Sequence, residues 1–345
     1  MKIGKIAVGI ISLGLLTTSL AFAEAPKVSG FVDTSLTVQT NNDGSGGKTG
    51  PNFARSFDSV SNTFVLNVVH LNIDGSEGKA GYHVELEFGN DAATTTPSSA
   101  SNNIQEAYIT LRHGDNCLLT VGKFVTLEGI EVIESGWNPT ISRGYLFGLA
   151  EPYSHTGVKM DHQFGKMLSV TLGAVNGWDT TTDNNRDKTW LGRLGFNFGD
   201  PLAFGVVYYT GKEVAATSNK RTSLDITGVS KWGPLALNFQ FNSGKEEKSS
   251  AIVTGADAEW SGWGLQPVYT FTPKFSLGAR YESFEDEGGT RGLGAKEAYN
   301  ITLTPTWKHS ANVTLRAEVR QDTWTPTSGA DKDATTVGGE LIYTF

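Results

Sequence analysis

Past Ala23 the chain alternates apolar and polar side chains with a period of two, the repeat of a β-strand rather than the 3.6 of a helix. Tyr299, Ile301, Leu303, Pro305 and Trp307 share one face of such a segment, and Asn300, Thr302, Thr304 and Thr306 share the other. Tyr82, Val84, Leu86 and Phe88 alternate with His83, Glu85 and Glu87 in the same way. Val313, Leu315, Ala317 and Val319 alternate with Thr314, Arg316, Glu318 and Arg320. About sixteen such segments fit between 27–40 and 335–345, and about ten residues is what a tilted strand needs to cross a bilayer. A soluble sandwich hides its apolar face and puts mild polar residues outside. Here the polar face carries full charges.

The connections alternate in length along the chain. Long ones fall at 41–61, 91–102, 125–154, 179–187, 212–221, 244–256, 286–297 and 325–334. Short ones lie between them and carry turn chemistry: Gly114-Asp115-Asn116, Asp200-Pro201, Gly233-Pro234 and Thr272-Pro273. Long-short alternation is what short periplasmic turns and long outer loops give. Aromatic residues gather near the segment ends, as an interfacial girdle requires. Trp178, Trp190, Tyr209, Trp263 and Trp324 are expected on the loop side, and Tyr82, Phe164, Phe198, Phe271, Phe275 and Trp307 on the turn side.

The N-terminus supplies a compartment. Lys2 and Lys5 precede an apolar run over Ile6 to Leu16, and Ala21-Phe22-Ala23 is a small-x-small cleavage site. Residues 1–23 are read as a signal peptide and 24–345 as one barrel domain. An exported chain without a spanning helix crosses a bilayer only when every backbone N–H and C=O is paired, which requires a sheet without edges. The expected fold is therefore all-β: a transmembrane antiparallel up-and-down β-barrel of about sixteen strands, with short periplasmic turns, long extracellular loops and one long loop folded into the lumen. The expected location is the cell outer membrane.

Composition narrows the function. The 345 residues include 41 Gly, one Cys (Cys117), and 28 basic against 36 acidic side chains, a formal net charge of −8. One cysteine excludes an internal disulfide framework and a cysteine-based zinc cluster. The acidic balance argues against nucleic acid, which needs a basic footprint. A barrel of this width leaves an aqueous interior. Mid-strand charges such as Glu85, Glu87, Arg280, Glu282, Arg316, Glu318 and Arg320 are then expected to sit in water.

The connection 125–154 is the longest. It holds Glu128, Glu131 and Glu134, spaced by three, then Trp137, Asn138, Pro139 and Arg143. A helical turn over 128–135 would set the three carboxylates on one side. Facing Arg112, Lys123, Arg193, Arg280, Arg316 and Arg320 on the wall, they would place a transverse field across a pore constriction. The acid-rich loop then favours cations weakly.

Decoys can be set aside. Gly47-Lys48-Thr49 lacks the first glycine of a phosphate loop, since Asn42 stands there. Asp183, Asn185 and Asp187 open like a calcium loop, but Lys188 and Leu194 occupy the positions that need Gly and Glu. The six histidines show no metal spacing, although His155 ends the long loop. No nucleophile motif such as G-x-S-x-G occurs, and neither a cofactor nor a metal is expected.

The chain resembles the beta-barrel porins of the OmpL-like type. The resemblance is carried by Gly122-Lys123-Phe124, then Gly129, Glu131, Asn138, Ser142, Pro152, His155 and Gly157. It continues in Asn176-Gly177-Trp178-Asp179, Asp183-Asn184-Asn185 and Lys188. It resumes in Arg280-Tyr281-Glu282 with Phe284 and Asp286, and in Arg316, Glu318, Arg320 and Asp322. It implies an outer-membrane porin of a Gram-negative bacterium and supplies no substrate. The ending Leu341, Tyr343 and Phe345 also resembles the terminal signature of bacterial outer-membrane proteins. Expected partners are the outer-membrane lipid bilayer and small hydrophilic solutes or ions, with a homo-trimer by analogy to general porins. A structural or adhesive barrel with a closed lumen, and an outer-membrane enzyme, are the alternatives from other classes.

Overall fold

Alternation along each segment becomes an inside and an outside. In Glu297–Lys308, Tyr299, Ile301 and Leu303 are exposed, while Asn300, Thr302 and Thr304 are fully buried. A computed structural model describes residues 25–40, 54–95, 103–199, 202–213 and 219–345. The expected signal peptide, the Gly47-Lys48-Thr49 run and the Asp200-Pro201 turn lie outside the described residues.

Among the described residues there are sixteen strands. They are β1 (Lys27–Gln39), β2 (Thr63–Glu77), β3 (Ala80–Phe88), β4 (Ile104–His113), β5 (Cys117–Val125), β6 (Ser154–Phe164), β7 (Leu168–Val175) and β8 (Thr189–Asn197). They continue as β9 (Leu202–Lys212), β10 (Lys220–Trp232), β11 (Leu235–Glu246), β12 (Ala258–Thr272), β13 (Phe275–Asp286), β14 (Glu297–Lys308), β15 (Val313–Thr325) and β16 (Lys332–Thr344). A short helix, α1 (Asn90–Thr95), follows β3. Each strand pairs with its sequence neighbours, and β1 closes on β16 with Phe31 opposite Thr344 and Gln39 opposite Thr336. Closure leaves no edge, so every strand has ladder partners on both sides.

Boundaries agree with the alternation to within a few residues. β2 runs on to Glu77 because Gly78, at φ +58°, makes the turn tight enough for Glu77 to pair with Ala80. β7 ends early, since Gly177 has φ +147° and the Trp178 amide donates to Glu213 at 2.7 Å. One irregularity matters for the interior. Opposite Glu85 and Leu86 the register skips from Glu106 to Ile104, a bulge that turns both Gln105 and Glu106 to buried positions.

The turn-side girdle is as expected: Tyr82, Phe164, Phe198, Phe271, Phe275 and Trp307 are all exposed. Of the five expected on the loop side, Trp190 and Trp263 face outward. Trp178, Tyr209 and Trp324 are buried instead in an inner cluster with Phe124, Tyr145, Leu146 and Trp260. Strand parity decides this, because Tyr209 faces in wherever its neighbour Tyr208 faces out.

Candidate functional site

The connection between β5 and β6 is bonded to strands on several sides of the barrel. Its backbone is irregular, apart from a single 3-10 turn at Ser135–Trp137 and a π-helical turn at Leu146–Ala150. Irregular backbone inside a barrel must find partners for its N–H and C=O groups. Charged wall side chains provide them.

Glu318 accepts from the Ile141 amide at 2.6 Å and the Ser142 amide at 3.1 Å. Glu282 accepts from the amides of Tyr145 at 2.5 Å and Leu146 at 3.3 Å. Asp225 accepts from the Gly129 amide at 3.1 Å. The arginines work in the opposite sense. Arg316 donates to the Asn138 carbonyl at 2.8 Å, Arg280 to that of Ser142 at 2.5 Å, and Arg320 to that of Arg143 at 2.7 Å. Two glycines make the close approach possible. A Cβ on Gly129, at φ +88°, would lie 2.1 Å from a Glu151 oxygen, and one on Gly144 would lie 2.2 Å from a Glu282 oxygen.

The expected helical turn over 128–135 is not formed, and its three carboxylates do not share a side. Glu128 takes Ser223 on β10 at 3.1 Å, Glu131 takes Arg280 on β13 at 2.8 Å and Gln266 on β12 at 2.7 Å, and Glu134 takes Gln105 on β4 at 2.5 Å. All three are buried. Each is drawn to a different wall donor, which outweighs the helical spacing. Burial pushes the carboxyls of Glu128 and Glu134 well above the usual range, with Asp225 adding to the first and Glu85 to the second. Buried and bonded to wall side chains, both are withdrawn from open water.

The candidate cations divide. Arg280, Arg316 and Arg320 are brought to the loop, and each is also ion-paired: Arg280 with Glu131 at 2.8 Å, Arg316 with Glu340 at 2.5 Å, Arg320 with Asp322 at 2.7 Å. Arg143 braces the loop from within. It donates to the carbonyls of Ile133 and Ile141, lies over the Phe57 ring at 4.4 Å and approaches Asp91 at 3.7 Å. Lys123 donates to the Ile104 carbonyl at 2.7 Å and not to the loop. Arg112 and Arg193 are half-buried, on the inward parity of β4 and β8, with no ion pair among the described residues. The predicted constellation is therefore half assembled.

The mid-strand charges expected in water are instead buried where the loop covers them. Glu85, Glu87, Arg280, Glu282, Arg316, Glu318 and Arg320 are all under 8% exposed. The loop displaces the water that would have solvated them, so they are paired. Loop residues Ile130, Val132 and Pro139 stay half-exposed, and Trp137 is 44% exposed, 6.2 Å from the His70 ring and 6.4 Å from that of Phe31. His155 is buried against Tyr209 and bonded to the Gly177 carbonyl at 3.1 Å, a packing role. Asp183 bonds Lys188 and the Asn185 amide within its own turn.

Sequence reasoning listed the arginines but missed Asp225, Glu282, Glu318, Asp322 and Glu340 as holders of the loop. The signal was present in β15, where Arg316, Glu318, Arg320 and Asp322 recur at every second position on the inward face.

A closed antiparallel barrel with an apolar exterior and a long loop tied into its interior is the architecture of a porin, a channel protein of the bacterial outer membrane. The chain belongs to the family described as "Putative beta-barrel porin-2, OmpL-like", whose model matches residues 26–345. No curated protein matches in sequence. Solved structures share the fold at low identity. The outer membrane channel DcaP of Acinetobacter baumannii is 13% identical, with a TM-score of 0.64 over 94% of this chain and 97% of its own. The anion-selective porin from Comamonas acidovorans is 11% identical, with a TM-score of 0.63 over 94% and 100%. OmpT of Vibrio cholerae in its trimer form is 14% identical, with a TM-score of 0.62 over 95% and 100%.

Proposed function

We propose that the protein is a passive diffusion channel for small hydrophilic solutes and ions, narrowed by the 125–154 loop. The observation that carries the reading is the bonding of that loop to inward side chains of β4, β10, β12, β13, β15 and β16. A loop fixed on so many strands sets the width of what passes beside it. Conductance of the purified barrel in a planar lipid bilayer tests the reading, and well-folded protein that gives no steps overturns it.

The same bonding favours a second reading, a structural barrel whose lumen the loop closes, and absence of steps would support it. Under the channel reading, ion preference follows from the charges left free. The loop acids that motivated a weak cation preference are buried, while Arg112 and Arg193 keep their charge on the inner wall. The expected preference becomes weakly anionic, in line with the anion-selective porin of the same fold. A reversal potential of cationic sign in a salt gradient overturns it. A trimer, export by a cleaved leader over residues 1–23, and a non-enzymatic role belong to the same proposal; gel mobility before and after boiling tests the assembly.

A further inference from the structure

Next to the bulge in β4, the wall carboxylates Glu85, Glu87 and Glu106 and the loop carboxylate Glu134 gather with two imidazoles, His70 and His83. Among the described residues no arginine or lysine is ion-paired to any of the four. Even with both imidazoles protonated, the carboxylates outnumber the positive charges. Glu131, Asp322 and Glu340 in the loop region meet guanidinium groups instead.

Two further observations concern buried polar atoms at this corner. His70 is fully buried, and its Nε2 lies 2.6 Å from a Glu85 oxygen and its Nδ1 3.7 Å from a Glu87 oxygen, yet neither nitrogen has hydrogen-bond geometry. Gln105 donates its amide nitrogen to Glu134 at 2.5 Å, which leaves its own buried Oε1 without a partner. A buried ring nitrogen without hydrogen-bond geometry and a buried amide oxygen without a partner are both costly, and a cation among these carboxylates would relieve the ring nitrogen.

We propose that His70, Glu87 and Glu134 form a binding site for a divalent transition-metal ion such as Zn2+. One ligand atom from each lies within 4.8 Å of the others, and an imidazole with two carboxylates suits zinc, whereas magnesium and calcium prefer oxygen alone. The parts come from separate places: His70 from β2, Glu87 from β3, Glu134 from the loop. The ion therefore ties the loop to a stretch of wall where, among the described residues, no arginine does so. The site is independent of whether the barrel conducts, since binding is read without current.

Titration calorimetry of ZnCl2 into the detergent-solubilised full barrel tests it. One ion per chain is expected, with His70→Gln and Glu134→Gln each weakening affinity by about tenfold or more. His83→Gln, on the adjacent set of His83, Glu85 and Glu106, is expected to retain it. Unchanged affinity in the first two variants, or loss only in His83→Gln, overturns the assignment. Each variant is first checked for heat-shifted gel mobility. X-ray absorption of the zinc-loaded wild-type barrel is independent of any variant: a shell of nitrogen and oxygen supports the site, and a sulfur ligand would move the ion to Cys117 and sink it.

Discussion

On β15, Arg316, Glu318, Arg320 and Asp322 follow one another along the inner face, and each is bonded to the loop or to a neighbour. On β4 and β8, Arg112 and Arg193 are turned to the same interior and have no ion pair among the described residues. Arg193 lies flat across the Gly195–Gly205 pair, where a Cβ would come within 2.8 Å and 2.9 Å of its guanidinium. Identical side chains thus serve two ends. Paired and desolvated, an arginine holds backbone in place; unpaired beside water, it offers charge to what passes.

The comparison breaks first at Arg280. Arg280→Ala leaves Glu131 and the Ser142 carbonyl buried without their donor, and removing one partner of a buried pair costs about 3–5 kcal/mol. A lower urea midpoint and a larger single-channel conductance are expected, while Arg112→Ala changes the midpoint little. Equal destabilisation by both would erase the distinction. Next comes charge. Arg112→Gln with Arg193→Gln is expected to shift the reversal potential toward cations with stability held within about 0.5 kcal/mol.

A smaller effect is expected from Glu128→Gln with Glu134→Gln in metal-free buffer, since both carboxyls are buried against wall side chains. Their reversal potential should stay near wild type. A shift as large as the arginine pair gives would return these acids to the passage. The smallest is a pH effect at Asp91 in α1. Burial above all, with Glu87 and Glu340 adding and Arg143 opposing, raises its carboxyl from 3.8 to about 7. Between those values the folded chain keeps a proton that the unfolded chain has released, so stability falls as pH rises through the window. Asp91→Asn should flatten that part of the midpoint-against-pH curve, and an unchanged slope would assign it elsewhere.

The barrel was legible because period-two alternation is a local property: Tyr299 to Trp307 declare an outside, and Asn300 to Thr306 an inside, without knowledge of any other strand. The turn-side aromatics follow from the same parity. The loop was legible as a long, acidic interruption after the fifth strand. Its chemistry was not, because Glu128, Glu131 and Glu134 take their partners from β10, β13 and β4, and spacing within eight residues says nothing of distant donors. The bulge at Gln105 shows in the sequence only as two adjacent polar residues, Gln105 and Glu106, a break in alternation that a strand end gives equally. Trp178 and Tyr209 misled because an aromatic near a strand end reads alike whether lipid or a buried cluster receives it.

Glu131 binds an arginine 149 residues further along the chain, and Ser135 meets Arg316 across 181. The loop is made early and its holders late, so the order of assembly is fixed by where the bonds lie. The loop can take its partners on β4 and β10 first, but it cannot complete its bonds until β13 through β16 stand in the wall. The narrow bore is therefore the last feature of the fold to be completed.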